Sequence, residues 1–441
     1  MNGRNTIARQ ADLKLRIPAD SEWHLGWRIV LACAVANGTG VSLLFYCFSL
    51  FLIPMSPELG LTRTDTGLIQ SLIVTAVIGA PVIGRLTDRF GFRPVWLACT
   101  LSMIAIGLAQ ALWAYDFWSM AATVALAGFV GGGSSSVVLT QPVNAHFRKY
   151  RGRALGMIGV GVSLTTIVVP PLLQMVIAES WRWGFLTLAA ISGLIGLPAV
   201  LLLMPRQAGA RPVSARPGPM PHDWSFVRER DFWLLSGGNM IAGITTGGAV
   251  SQLAPMVAEH GLSPLAVGLG VSFFAAGQLL GKLGGGFLLD RFDPRRMAIL
   301  MTLIPGLGFL AFTQADPGMM ALVLAACAMI GALSGADVDI YAYFVARRFG
   351  FERYGAVFGA LHGLGWIGTV AGITLFSRSF TQFGSYAPAQ FAAIGLLIGA
   401  AMLLSPVRLP RQKAGGGDLG TGSGPVLTNP QAAQPQNQHL G

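Results

Sequence analysis

The sequence predicts an all-α membrane protein with twelve transmembrane helices arranged in two pseudo-symmetric halves of six. The composition is the first reason: 53% of the 441 residues are hydrophobic and only 11% are charged, whereas a soluble globular protein carries about 25% charged residues. The second reason is a series of apolar runs, each near or above the roughly 20 residues needed to cross a bilayer. The third is an internal repeat that relates the two halves.

The apolar runs divide the chain into five parts. A polar tail, 1–25, precedes six spans that form an N-terminal half, 26–204. A segment rich in Pro, Gly and Arg, 205–230, predicts a linker, six further spans form a C-terminal half, 231–406, and the tail 407–441 has too few apolar residues to pack, which predicts disorder. The spans are predicted at about 27–53, 66–86, 94–113, 117–140, 153–177 and 183–204, and then at about 232–257, 265–289, 296–314, 318–345, 355–378 and 388–406.

The net charge of +11 follows the membrane topology. Of the 30 Lys and Arg residues, only Arg63, Arg182 and Arg378 fall on one side of the membrane, and Lys282 falls within a span. The others lie on the opposite side, which the positive-inside rule identifies as the cytoplasm. We therefore expect both termini to be cytoplasmic, in a bacterial inner membrane. The basic charge then indicates no nucleic-acid partner, and the sequence shows no cofactor or metal-binding motif.

The internal repeat appears at two places. The residues Gly286, Asp290, Arg291 and Arg295 repeat Gly84, Asp88, Arg89 and Arg93 at an offset of 202 positions. A glycine pair in RGRALG, Gly152 and Gly156, recurs as Gly355 and Gly359 in YGAVFG at an offset of 203. Two matches at nearly one offset and at equivalent loops favour duplication over chance. Two six-helix repeats with a site at their interface near the midplane are typical of secondary transporters.

Several of these motifs resemble those of the major facilitator superfamily. The loop GRLTDRFGFR, residues 84–93, is similar to the signature loop of that superfamily. Other motifs resemble bacterial relatives of the monocarboxylate transporters and oxalate/formate antiporters: GWR at 26–28, FRKYRGRALG at 147–156, the Pro pair at 170–171, WRW at 181–183, and GADVDIYAYFVARRFGFERYGAVFG at 335–359. The resemblance covers nearly all of 26–406.

Four ionisable residues are predicted at one depth. Counted from the cytoplasmic ends of their helices, Lys282, Asp337, Asp339 and His362 lie roughly 10–15 Å inside a core about 30 Å thick. They come from spans 8, 10 and 11. Charged groups inside a membrane are costly and indicate functional sites, so their common depth predicts convergence on a central cavity.

Lys282 is the candidate that binds an anionic substrate. The resemblance supports this role, because related carboxylate transporters carry at this place an Arg that is taken to pair with the substrate carboxylate. The Lys in this sequence departs from that pattern, since its ammonium lacks the bidentate hydrogen-bonding geometry of Arg. Two alternatives stay open: a permanent ion pair with Asp337 or Asp339, or a lysine that itself carries a coupled proton.

His362 occupies the position at which the oxalate/formate antiporters carry a second cation. One fixed cation with a titratable His suits a monoanion better than a dicarboxylate, although His362 could instead be a hydrogen-bonded packing residue. Asp337 and Asp339 are separated by about 200° around a helix, so only one of them is expected to face the cavity. That residue is the candidate proton carrier, unless it forms a static pair with Lys282.

Uncharged polar residues complete the expected substrate site. Asn37 of span 1 and Gln141 of span 4 are able to donate hydrogen bonds to a ligand, or they pack helices together. Tyr46 lies in the region where monocarboxylate transporters carry a Lys in span 1, so proton coupling through that Lys does not carry over. Gln278, four residues before Lys282 in span 8, is a further candidate substrate-binding residue.

The repeated loop residues are candidates for gating. In the superfamily, this loop latches the cytoplasmic gate in the outward-open state. The resemblance therefore implies a breakable latch. The alternative is that these basic loops only hold their side of the protein in the cytoplasm. The candidate gating residues are Asp88, Arg89, Arg93, Asp290, Arg291 and Arg295.

These observations predict a secondary transporter, rather than an enzyme, that moves a small organic anion by alternating access. A monocarboxylate is the expected substrate class, with protons or a counter-anion as the coupled species, and the protein is expected to be monomeric in the lipid bilayer. No GxxxxGK[ST] motif indicates an ATP-driven pump.

The alternatives are a drug/proton antiporter of the same fold, although the fifth span lacks the Gly-Pro motif of that class, and a non-transporting ligand sensor. A membrane enzyme is disfavoured because no nucleophile-and-base motif is present.

Overall fold

A computed structural model describes residues 22–147, 150–205 and 224–407. Most of each predicted tail and most of the predicted linker lie outside these residues, and so do the side chains of eight residues inside helices, Asp290 among them. Eleven helices of the described part are long and apolar enough to span a membrane, and each corresponds to a predicted span. We number the helical spans α1 to α12 in chain order: α1 Gly26–Glu58, α2 Arg63–Phe90, α3 Phe92–Trp113, α4 Phe117–His146, α5 Arg151–Glu179, α6 Trp181–Leu203, α7 230–258, α8 Pro264–Arg291, α9 Pro294–Gln314, α10 Met320–Gly350, α11 Arg353–Phe383 and α12 Ala387–Leu404.

The seventh span differs from the uninterrupted helix that the sequence predicts. It begins as an α-helix, Arg230–Ala242, widens into a π-helical turn, Gly243–Gly247, and continues as two short helices, Gly248–Ser251 and Leu253–Ala258. The second break has a local cause, since Pro255 has no backbone N–H to donate to the carbonyl one turn earlier. Glycines around the π-helical turn further weaken its helical preference.

The loop predicted between the tenth and eleventh spans is shorter in the structure. Helical geometry runs from Met320 to Phe383, and Gly350 is the residue with a non-helical backbone, at φ 76° and ψ 170°. A residue with a side chain rarely adopts this conformation. Gly350 therefore marks the corner at which α10 turns into α11.

The two halves contact each other near one end of the bundle. The hydroxyls of Thr64 on α2 and Thr381 on α11 are 2.9 Å apart. On the other side of the interface, the Ser272 hydroxyl of α8 donates to the carbonyl of Ile167 on α5, at 2.7 Å. The Arg-rich loops lie at the opposite end of these helices, which we call the basic face (the ends of α2, α8 and α10 and the start of α5).

Toward the basic face the halves separate. Gly152 and Gly156 of α5 continue the helix face that packs on α8, and Gly355 and Gly359 of α11 continue the face that packs on α2. A Cβ atom at any of these four glycines would meet no atom within 4 Å. The space between the halves therefore opens toward the basic face, and the repeated glycines line its walls.

Candidate functional site

A cavity of about 170 Å³ lies between the halves, at the middle of the bundle. One wall comes from α1 of the N-terminal half, and the others come from α7, α10 and α11 of the C-terminal half. The π-helical turn of α7 forms part of the lining. The residues that line the cavity are Phe45, Tyr46, Asn239, Gly243, Thr246, Gly247, Val250, Ser334, Asp337, Val338, His362, Gly365, Trp366 and Thr369.

Asp337 and His362 line this cavity together, from α10 and α11. Asp339 does not line it, which agrees with the 200° that separates two residues two positions apart on a helix. The Asp337 carboxylate accepts a hydrogen bond from the backbone N–H of Val338 at 2.6 Å. Among the described acidic residues, Asp337 is thus the one that lines the cavity.

Lys282 is not among the residues that line the cavity; it lies at the contact between α8 and α5. Its side chain is partly exposed, and its Cε and Nζ atoms occupy the space over Gly159, where an added Cβ would lie 2.5 Å from both. Within the described residues Lys282 forms no ion pair closer than 4 Å, yet its charge acts on both Asp337 and Asp339. The ammonium group therefore faces the other half of the protein, just where the two halves begin to separate.

Gln278 bridges the two halves one turn from Lys282. Its amide nitrogen donates to the hydroxyl of Tyr46 at 2.6 Å and to Ser334 at 3.3 Å, and its amide oxygen accepts from Ser163 at 3.0 Å. Tyr46 and Ser163 belong to the N-terminal half, whereas Gln278 and Ser334 belong to the C-terminal half. Since Tyr46 and Ser334 also line the cavity, this network joins the cavity wall to the α5–α8 contact.

Asn37 and Gln141 lie away from the cavity. Asn37 is 1% exposed, and its side-chain amide donates to the carbonyl of Ile158 on α5 at 3.3 Å. Gln141 is partly buried in the second half of α4. In this conformation both occupy positions within the helix packing of the N-terminal half.

Sequence reasoning overlooked several residues of the site. Trp366 follows His362 by four residues and Ser334 precedes Asp337 by three, so helical spacing from the two ionisable residues would have found both. Gly159 carries no comparable signal, because its role depends on which residue of another helix lies opposite. The described residues contain no group of three or more His, Cys, Asp or Glu able to hold a metal ion.

Three of the described gating candidates contact residues of their own halves. Arg93 donates to the backbone carbonyls of Leu201 and Met204 at the end of α6. Arg89 lies over the ring of Phe90 and Arg291 over that of Phe287. Asp88 and Arg295 are exposed, and the side chain of Asp290 lies outside the described part.

A twelve-span bundle of two related halves around a central cavity defines a membrane transporter. Matches to the family model of the Major Facilitator Superfamily cover residues 30–256 and, again, 235–430. The chain belongs to this superfamily.

The most similar proteins include transporters of anions. The chain is 25% identical to monocarboxylate transporter 13 of Bos taurus over 399 residues, which cover 88% of this chain and 90% of the relative. It is 27% identical to NarK2 of Mycobacterium tuberculosis, a probable nitrate/nitrite transporter, over 68% of this chain and 76% of the relative. Among solved structures, a bacterial homolog of the human lysosomal transporter Spinster, in an inward-facing and occupied conformation, matches with a TM-score of 0.68 at 16% identity, over 86% of this chain and 96% of that chain. This last likeness supports the fold.

Proposed function

We propose that the protein is a secondary transporter that carries a small monocarboxylate across the bacterial inner membrane by alternating access. The observation that carries this proposal is the position of the Lys282 ammonium, unpaired among the described residues, at the junction of the two halves and one turn from Gln278, which bonds to two residues of the cavity lining. A partly exposed ammonium with no acidic partner within 4 Å in the described part of the chain is available to an anion that enters between the halves. Relatives named for monocarboxylate and nitrate transport add support.

In this proposal three ionisable residues have different roles in transport. Lys282 attracts the carboxylate of the substrate, whereas Asp337 takes up a proton that travels with it or is released when a counter-anion binds. His362 offers a second, titratable site for positive charge on the cavity wall. The proposal takes the basic face as cytoplasmic, following the positive-inside rule. The space between the halves is then the inward-facing cleft, and the repeated loops with Asp88 and Asp290 form the latch of the opposite state.

The test is uptake of labelled monocarboxylates into proteoliposomes, with an imposed pH gradient or an internal counter-anion. We expect uptake by the unaltered protein and its loss in Lys282→Gln. Asp337→Asn is expected to retain anion exchange but to lose the dependence on the pH gradient. Absence of carboxylate uptake under every gradient, with folded protein in the vesicles, would contradict the proposal. A drug antiporter would instead export cationic dyes, and a sensor would bind ligand without flux.

A further inference from the structure

Four aromatic side chains line the central cavity, and neighbouring rings are steeply inclined to one another. The rings of Phe45 and Trp366 have centroids 6.2 Å apart and are inclined by 69°, and those of Phe45 and Tyr46 are 5.3 Å apart at 76°. The ring of His362 is 6.5 Å from that of Trp366 at 88°. All four residues line the cavity. At these distances neighbouring rings touch one another, so the four form a continuous aromatic surface on the cavity lining that presents ring faces and edges.

The rings are held in place by close contact between helices. Gly243 and Gly365 allow α7 and α11 to approach so closely that a Cβ on Gly243 would overlap the Gly365 carbonyl. On α1, Tyr46 is fixed by its hydrogen bond from Gln278. The rings of Phe45 and Trp366 thus stand on helices that meet across the cavity, one from each half.

The volume of the cavity suits one ring with a short substituent. A dry cavity of about 150 Å³ accommodates benzene, and this one measures about 170 Å³ and is open to the cleft. Its apolar lining includes Phe45, Val250 and Trp366, whereas Ser334 and Asp337 add polar groups from α10. A fused polycyclic molecule would not fit without movement of the helices.

We propose that the substrate is an aromatic monocarboxylate, a single ring bearing a short acidic arm, with Phe45 and Trp366 as the residues that select the ring. This inference rests on the proposed function, because it assigns the acidic arm to Lys282. Aromatic pairs in offset or edge-to-face geometry are stabilised beyond the burial of apolar area. An aliphatic acid of the same shape gains the burial but not this additional stabilisation.

The test compares phenylacetate with cyclohexylacetate, which share a carbon skeleton and a charge but differ in aromaticity. Affinities are measured on purified, detergent-solubilised protein by ligand-induced thermal stabilisation, which follows affinity for the folded state. We expect phenylacetate to bind about 3- to 10-fold more tightly, as one or two ring contacts imply. Trp366→Leu and Phe45→Leu should each reduce that ratio toward one.

Trp183→Leu is the matched control, since Trp183 is 58% exposed on α6 and does not line the cavity. This variant should keep the preference for phenylacetate. Equal affinity for the two acids, or a preference that survives both cavity substitutions, overturns the aromatic assignment. If acetate and lactate bind while phenylacetate does not, the aromatic assignment fails and the carboxylate transporter stands. If no carboxylate binds, both fail together.

Discussion

Replacing Gly159 by Ala tests whether Lys282 acts from its place against α5. The new Cβ would lie 2.5 Å from both Cε and Nζ of Lys282, whereas ordinary contacts begin at 3.4 Å. The ammonium must therefore move by about 0.9 Å. At an effective dielectric constant of about 20, drawing a unit charge from about 3 Å to about 4 Å from an anion loses about 1.4 kcal/mol, which is about tenfold in affinity.

The stability of the protein should change little in this variant. The clash involves the far end of a flexible side chain, so an altered rotamer costs about 0.5–1.5 kcal/mol. Replacing Gly by Ala inside a helix returns about 0.5–1 kcal/mol. The two effects nearly cancel, and the melting temperature without ligand should stay close to that of the unaltered protein.

The assay is the concentration dependence of carboxylate uptake in proteoliposomes. We expect the half-saturating concentration to rise about tenfold in Gly159→Ala, by the Coulomb estimate above. Gly399→Ala, on α12, is the control, because a Cβ there would meet no atom within 4 Å. An unchanged half-saturating concentration in Gly159→Ala would show that the contact of the Lys282 ammonium with α5 does not affect substrate binding.

Three further predictions concern the Gln278 bridge between the halves, a histidine in the loop after α7, and the glycine at the corner between α10 and α11. Gln278→Leu removes three hydrogen bonds between buried or partly buried groups; at about 1 kcal/mol each, the melting temperature should fall by several degrees. Burial lowers the pKa of the His260 imidazole below its ordinary 6.5, so the unfolded chain takes up protons first as the pH falls. Thermal stability should therefore decline as the pH drops through 6.5, and His260→Gln should reduce this decline. Gly350→Ala forces a side chain into a glycine conformation and should cost about 1–3 kcal/mol of stability, measured by thermal unfolding in detergent.

Each of these predictions has a result that contradicts it. A Gln278→Leu protein as stable as the parent would mean that water replaces the amide without loss. A decline with falling pH that is identical in His260→Gln would assign it to other groups. If Gly350→Ala melts together with the Gly399→Ala control, the corner between α10 and α11 relaxes at no cost.

Much of the architecture could be predicted from the sequence, because hydropathy and the repeat report directly on membrane spans. Depth counting along α10 and α11 also placed Asp337 and His362 at one level, and both residues line the same cavity in the structure. Spacing along one helix is fixed by geometry, so this kind of inference transfers well from sequence to structure. The predicted family membership is confirmed by the match of the superfamily model to both halves.

The relations between helices could not be predicted in the same way. The side chain of Lys282 lies over Gly159 on α5, and nothing along α8 indicates which helix lies opposite. For Asn37 the sequence left ligand binding and helix packing open, and the structure shows that its amide donates to the carbonyl of Ile158. The breaks in α7 were also missed, because an apolar composition describes a span without describing its backbone.

The π-helical turn at Gly243–Gly247 has a mechanical consequence for the cavity. A π-helical turn holds one residue more than the α-helical turn it replaces, and single turns of this kind recur at functional sites. If the turn tightened to α-helical pitch, every later residue of α7 would rotate by about 100° around the helix axis. Val250 would then leave the lining, so the shape of the cavity depends on the pitch of this one turn.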